Sequence, residues 1–505
     1  MRECELSVKP DACVMRAATE LQFPSDTCTG TPCILVTHRD RDTMSRRARN
    51  PLSVVVTAAG IGTALLVVAY FYVNGVAHRV DPQSETAITV SPRVPVLSAR
   101  RAPNTLSTIT RIDRLDRALT TVEGRIPSSA CLAVNWMDRS MLDVRADTAF
   151  VPASSTKLIT AAVALKVLGK DFTYTTNVHA KMDASGTTGD LYFVGGGDPS
   201  LIRAEYPSLE KYATTAGTSL EKLADAIVAS GVRQISGSVV GVDTRYDNIR
   251  FVADWPTSFY MTEAGPLGAL FVDDGMILGQ QFKPDNPALA ASQELTNLLV
   301  ARGVIIAAAP RHETLPDDVP VITSVTSAPL TSVLKDMLVN SDNNTAELVL
   351  KEIGFAAKKT GSTVAGLQTV QEVLAKWKIK DVVMNDGSGL ASSNRISCSA
   401  FQKILSQEID VFPSLLAIAG ETGTIRDAFT DSSVKGSLVA KTGTLSGVKA
   451  LTGYLTIQNS EPVIFSLVMN EAGIDNKSAY RPVWYALSDA LNRAKSTPSL
   501  EQLIP

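Results

Sequence analysis

Residues 150–169 read FVPASSTKLITAAVALKVLG. Pro152 and a run of small hydroxyl residues precede an almost wholly apolar stretch, which predicts a helix opening near Ser154 and buried on all sides. Positions three apart on a helix share a face, so the amine of Lys157 can sit beside the hydroxyl of Ser154. A serine hydroxyl is a weak nucleophile until a neighbouring base takes its proton. Burial and a second cation nearby lower an amine's pKa and leave part of it neutral, able to act as that base. Backbone N–H groups at the start of the helix can stabilise an oxyanion.

Other ways of activating a serine lack their residues. Of the four histidines, His38 and His78 flank an apolar run, while His179 and His312 lie later in the chain. No G-x-S-x-G elbow accompanies them. No histidine cluster and no H-E-x-x-H is there to hold a catalytic metal, so neither metal nor cofactor is expected.

The S-x-x-K spacing alone is weak evidence, since it recurs at Ser208–Lys211, Ser219–Lys222, Ser332–Lys335, Ser432–Lys435 and Ser446–Lys449. Ser219 reads better as the N-cap of a helix. Ser154 differs because two further elements follow it in order. Ser341-Asp342-Asn343, within VNSDNNTAELVL, offers a serine to relay a proton to a leaving amine and an asparagine to orient a substrate amide. Lys441-Thr442-Gly443-Thr444 falls on an expected strand, where Gly443 lets the backbone approach a substrate closely. Lys441 and Thr442 would bind a terminal carboxylate, and the Thr444 N–H would complete an oxyanion hole. Two near-copies read as loop or turn: Lys359-Thr360-Gly361, and Ser392-Ser393-Asn394 after the glycine-rich Asp386-Gly387-Ser388-Gly389.

Around these motifs the pattern is α+β. A helical stretch near Leu106–Leu119 precedes two strands, Ala130–Trp136 and Met141–Val144, joined by Asp138-Arg139-Ser140. Residues 172–323 carry short strands, turn signals and one helix near Leu220–Ser230, which predicts an inserted β-rich accessory domain. Helices return after Thr331, followed by SLVAKTGTL, VKALTGYLTIQ and PVIFSLVMN as strands and a closing helix at Val483–Lys495. The expected catalytic domain is thus an antiparallel sheet flanked by helices, built from residues 106–171 and 324–495, with a tail at 496–505.

Ahead of it, LSVVVTAAGIGTALLVVAYFYV (Leu52–Val73) contains no charge and is long enough to cross a bilayer as a helix. Arg39, Arg41, Arg46, Arg47 and Arg49 precede it, which sets residues 1–50 in the cytoplasm and the catalytic part outside, on an anchor at 51–73 and a linker at 74–105. Cleavage near Ala77, giving a secreted protein, is the alternative. The text from Met44 already makes a short basic start before an apolar run, so residues 1–43 are expected to be an over-extended start or a dispensable tail. Four cysteines precede the apolar run and only Cys131 and Cys398 follow it, so those two are expected as buried free thiols, with their pairing as the alternative. With 48 basic against 51 acidic residues the chain has no basic field for nucleic acid, and no nucleic-acid motif occurs.

The ordered set S-x-x-K, S-x-N, K-T-G resembles the active site of penicillin-recognising serine enzymes. FVPASSTKLITAAVAL, GGGDPSL, GPLGALFVDDG, SDNNTAELVLKEIG, NDGSGLASSNRIS and GETGTIRDAF are similar to segments of the D-alanyl-D-alanine carboxypeptidase/endopeptidase family, the class C low-molecular-mass penicillin-binding proteins. The resemblance covers roughly residues 106–495. It implies a transpeptidase/β-lactamase-like catalytic domain interrupted between its first two motifs, one of the family's inserted domains being reduced or missing. It implies Ser154 as the acylated nucleophile, Lys157 as its base, Ser341 and Asn343 as the second motif, and Lys441, Thr442, Gly443 and Thr444 as the third. The implied partners are peptidoglycan stem peptides, with β-lactam antibiotics as covalent inhibitors. The alternatives are a β-lactamase, or a non-catalytic penicillin-binding or cell-wall-binding protein.

Overall fold

The computed structural model describes residues 51–77, 103–210, 212, 217–277 and 279–496. The expected N-terminal tail, most of the expected linker and nearly all of the C-terminal tail lie outside them. The apolar run forms helix α1 (Pro51–Ala77), part of a unit of its own, with side chains described over residues 59–75. Among the described residues, no helix is long and apolar enough to cross a membrane.

The second unit begins with α2 (Pro103–Glu123), the hairpin β1 (Ala130–Trp136) and β2 (Arg139–Val144), and α3 (Lys157–Leu168). The hairpin turn is tighter than the expected one. Met137 and Asp138 both take positive φ, 51° and 56°, so a two-residue turn joins Trp136 directly opposite Arg139.

Between α3 and the second motif lies a separate seven-stranded sheet. Its longer strands are β3 (Thr175–Met182), β4 (Thr187–Val194), β5 (Val239–Val242) and β6 (Val321–Thr326). Two helices, α4 (Leu220–Ala229) and α5 (Pro287–Ala301), pack on it through Leu220, Leu223, Ile227, Leu295 and Leu299. The expectation of a single helix in this segment is therefore corrected. β4 pairs parallel with β5, a geometry that needs helical crossovers, and α4 lies between those two strands in the chain. The second helix opens at Asn286, whose side chain caps the Leu289 N–H, with Pro287 in the first turn.

The chain then returns through α6 (Leu330–Asn340), α7 (Asn343–Lys358), α8 (Thr363–Lys376) and α9 (Cys398–Gln407). It closes with strands β7 (Ala417–Ile418), β8 (Leu438–Leu445), β9 (Val448–Ile457) and β10 (Ser460–Asn470), and helix α10 (Lys477–Asn492). α10 starts six residues before Val483, with Pro482 inside it in its second turn. The main sheet is antiparallel throughout, in the order β7-β8-β9-β10-β1-β2. Strand alternation sends Leu132, Val134, Leu451 and Leu455 to one face, under α2 and α10, and Ala133, Ala450 and Tyr454 to the other, against α3 and α9. The sheet is thus assembled from both chain ends, as expected.

The free-thiol expectation for Cys131 and Cys398 is corrected. β1 and the start of α9 come together with a Cα–Cα separation of 5.9 Å, and the two cysteines form a disulfide. Sequence carries no sign of this, because 267 positions separate them.

Candidate active site

Ser154 lies in a 3-10 turn, Ala153–Thr156, that leads into α3. Two backbones press on this turn. An atom at the Cβ position of Gly443 would lie 2.3 Å from the Pro152 carbonyl oxygen, and one at Gly389 (φ 89°) would lie 2.0 Å from that of Ala153. Only glycine permits either approach. Ala153 itself takes φ 49°, a left-handed conformation that the packing around the nucleophile maintains.

Lys157 has no exposed surface, and its Nζ reaches three oxygens: Ser154 Oγ at 3.1 Å, Asn343 Oδ1 at 2.7 Å and the Ser388 carbonyl at 2.7 Å. Burial lowers its pKa to about 8, against the opposing fields of Asp386, Asp342 and Glu347. The amide and the carbonyl oxygen can only accept. In the neutral amine they take both N–H bonds and leave the lone pair directed at Ser154, whose hydroxyl can then donate to it.

The loop that supplies Ser388 is itself fixed. Glu347 of α7 accepts from the N–H groups of Gly387 and Ser388 at 3.0 and 2.7 Å, and Thr160 Oγ1 donates to the Gly387 carbonyl at 2.8 Å. Burial, then the neighbouring Asp386, raises the Glu347 pKa to about 7. The glycine-rich turn, to which the sequence reading gave no role, is therefore part of the site. Its signal in the sequence was present as Asp386-Gly387-Ser388-Gly389, but nothing local ties it to Lys157.

Ser341 ends α6 in the left-handed conformation, φ 64°, and Asp342 caps α7 through the Thr345 N–H. This places Ser341 and Asn343 at the junction of two helices. Lys441 Nζ donates to Ser341 Oγ at 2.8 Å and to the Thr442 carbonyl at 2.8 Å. It is wholly buried, and burial first, then Lys157 and Lys449, hold its pKa well below the ordinary lysine range. β7 pairs with β8 only at Val439 and Ala440, so further along β8 the Thr442 and Thr444 side chains line an open cleft of about 700 Å3 that also holds Ser154, Ser341 and Asn343.

The structure therefore brings together all eight residues that the motifs single out. Two of the decoys fall elsewhere: Ser219 caps α4, and Lys359 ends α7. Asn394 is a buried partner of Asp386. Besides that turn, further residues outside the motifs join the site. Glu263, from the inserted segment, accepts the Asn343 Nδ2 on its carbonyl at 2.9 Å. Thr424 accepts from Thr442 Oγ1 at 2.8 Å, and Lys449, dismissed with Ser446 as a chance S-x-x-K, lines the cleft. Among the described residues, no group of histidine, cysteine and carboxylate side chains is arranged to hold a metal.

A D-alanyl-D-alanine carboxypeptidase from an Actinomadura species is 28% identical over 409 residues, spanning 63% of this chain and 73% of that protein. Carboxypeptidase DacB of Mycolicibacterium smegmatis is 28% identical over 456 residues, 84% of this chain and 95% of that one. The crystal structure of penicillin binding protein 4 (dacB) from Haemophilus influenzae shares the fold, with a TM-score of 0.62 at 19% identity over 75% of this chain and 99% of that one. The sequence profile of the D-Ala-D-Ala carboxypeptidase 3 (S13) family matches residues 121–283 and 279–486, and the chain belongs to that family.

Proposed function

We propose that Ser154 of this D-Ala-D-Ala carboxypeptidase is the residue that becomes acylated, with Lys157 as its base. The observation that carries this reading is the pair of fixed acceptors, Asn343 Oδ1 and the Ser388 carbonyl, which turn the neutral amine's lone pair toward Ser154. The Ser154 proton passes to Lys157 as Oγ attacks the carbonyl of the penultimate D-alanine. The N–H groups of Ser154 and Thr444 stabilise the resulting oxyanion. Ser341, held by Lys441, relays the proton taken up by Lys157 to the departing amine, giving its own and receiving that one, as the C–N bond breaks and D-alanine leaves. Water then hydrolyses the acyl ester and returns Ser154. The hydroxyls of Thr424, Thr442 and Thr444 receive the substrate carboxylate, and the free edge of β8 pairs with its backbone.

Peptidoglycan stem peptides are the substrate, and cutting of cross-links between them uses the same acyl-enzyme. β-Lactams acylate Ser154 in the same way; a β-lactam complex of the Haemophilus influenzae protein and its shared fold support this. Residues 172–323 form an inserted domain that shapes the cleft through Glu263. The enzyme is anchored by residues 51–73 with its catalytic part outside the cell, supported by the uncharged run and the arginines before it.

The test uses the full chain in detergent. Labelled penicillin should remain covalently attached to the wild type and be absent from Ser154→Ala, while purified muropeptides lose terminal D-alanine only with the wild type. A wild type that turns penicillin over rapidly, or that labels at another residue, overturns the reading.

A further inference from the structure

We propose that Lys449 sets the preference of the cleft for a substrate carboxylate, by holding the Thr444 hydroxyl so that its proton faces the incoming anion. The inference rests on the acyl-enzyme reading above and adds a residue that the three motifs do not contain.

Thr444 and Lys449 stand directly opposite each other on β8 and β9. Lys449 Nζ donates to Thr444 Oγ1 at 2.8 Å, and both residues line the cleft that holds Ser154. A hydroxyl oxygen that accepts from an ammonium group keeps its own O–H free, polarised and turned away from the cation. The cation itself adds a field that favours an anion in the same place.

The lysine of the third motif is badly placed for that task. Lys441 has no exposed surface and its amine is engaged by Ser341 and by the Thr442 carbonyl. Among the described residues that line the cleft, Lys449 is the one cation. Its position is fixed from behind by α10, with Nζ 4.2 Å from the ring centroid of Tyr480 and 5.2 Å from that of Trp484. Burial lowers the Lys449 pKa to about 8, against the opposing field of Asp475, which also lies on the cleft and is itself held by the Gly447 N–H at 2.9 Å. Lys449 is thus a positioning residue, acting on the leaving-group side through Thr444.

The experiment compares two substrates with the same acyl part: an acyl-D-alanyl-D-alanine peptide, and an acyl-D-alanine thioester whose leaving group carries no carboxylate. In Lys449→Met the ratio of kcat/KM for peptide over thioester should fall about tenfold or more, mostly through KM, because a charge-assisted contact is lost on one substrate alone. Lys449→Arg should restore most of the ratio. A role confined to packing on Tyr480 and Trp484 would lower both substrates together and leave the ratio unchanged, which would overturn the proposal. If Lys449→Met fails to fold, as judged by its melting transition, Lys449→Gln and Lys449→Arg carry the same comparison. Penicillin labelling of the wild type separates the two readings: its absence defeats the acyl-enzyme, whereas labelling with an unchanged ratio defeats only the role of Lys449.

Discussion

The amine of Lys157 lies 2.7 Å from the side-chain oxygen of Asn343, a contact between residues 186 positions apart that joins the first motif to the second. The same asparagine donates to the Glu263 carbonyl at 2.9 Å, so its amide is held from both ends. Glu263, in the inserted segment, thus fixes the amide that, with the Ser388 carbonyl, orients the base. The attachment is strong around α7. Glu352 receives Arg245 through two bonds of 2.9 and 2.6 Å, and Tyr246 through one of 2.9 Å. A paired, largely buried guanidinium–carboxylate contact of this kind costs several kcal/mol to break from one side, so the inserted segment holds its place against α7.

The protonation of Lys157 should appear in the rate of acylation. Its pKa is lowered to about 8, so the neutral base form is the minor species below that pH and grows as pH rises through it. The second-order rate constant for penicillin acylation should therefore climb about tenfold per pH unit between about pH 6 and 7 and bend toward a plateau near 8. Stopped-flow or quenched labelling across that range checks it. A flat profile would mean that Lys157 does not act as the base.

Gly443 should tolerate no side chain. A Cβ there would meet the Pro152 carbonyl oxygen at 2.3 Å and the Ala153 and Ala450 Cβ atoms at 3.2 Å, and the first of these is backbone that cannot rotate away. Gly443→Ala is expected to cost about 1–3 kcal/mol of stability and to push β8 away from Ser154. Penicillin labelling should slow by at least about tenfold, since small misplacements of reacting groups are expensive. The melting temperature and the labelling rate, measured together, separate the two effects.

The disulfide ties β1 of the main sheet, which precedes the inserted segment in the chain, to α9, which follows it. Cys131→Ala/Cys398→Ala should lose about 2–5 kcal/mol, and the melting temperature should drop by several degrees. The wild type should also migrate faster on a non-reducing gel than after reduction, because the closed loop spans 267 positions. Identical mobility in both lanes would show that the bond is absent.

Much of this molecule follows from local chemistry. The apolar run after Ser154 determines a buried helix, alternation determines the strands, and three short motifs determine which residues do chemistry, because each depends on neighbours within a few positions. The tertiary structure alone decided what depends on distant approach. It paired Cys131 with Cys398, and it set Ser388 and Glu347 behind Lys157 through a turn that locally looks like any other glycine-rich loop. It made Lys449 part of the cleft because β8 and β9 lie side by side in one register, and no spacing along the chain encodes which strand a residue will face.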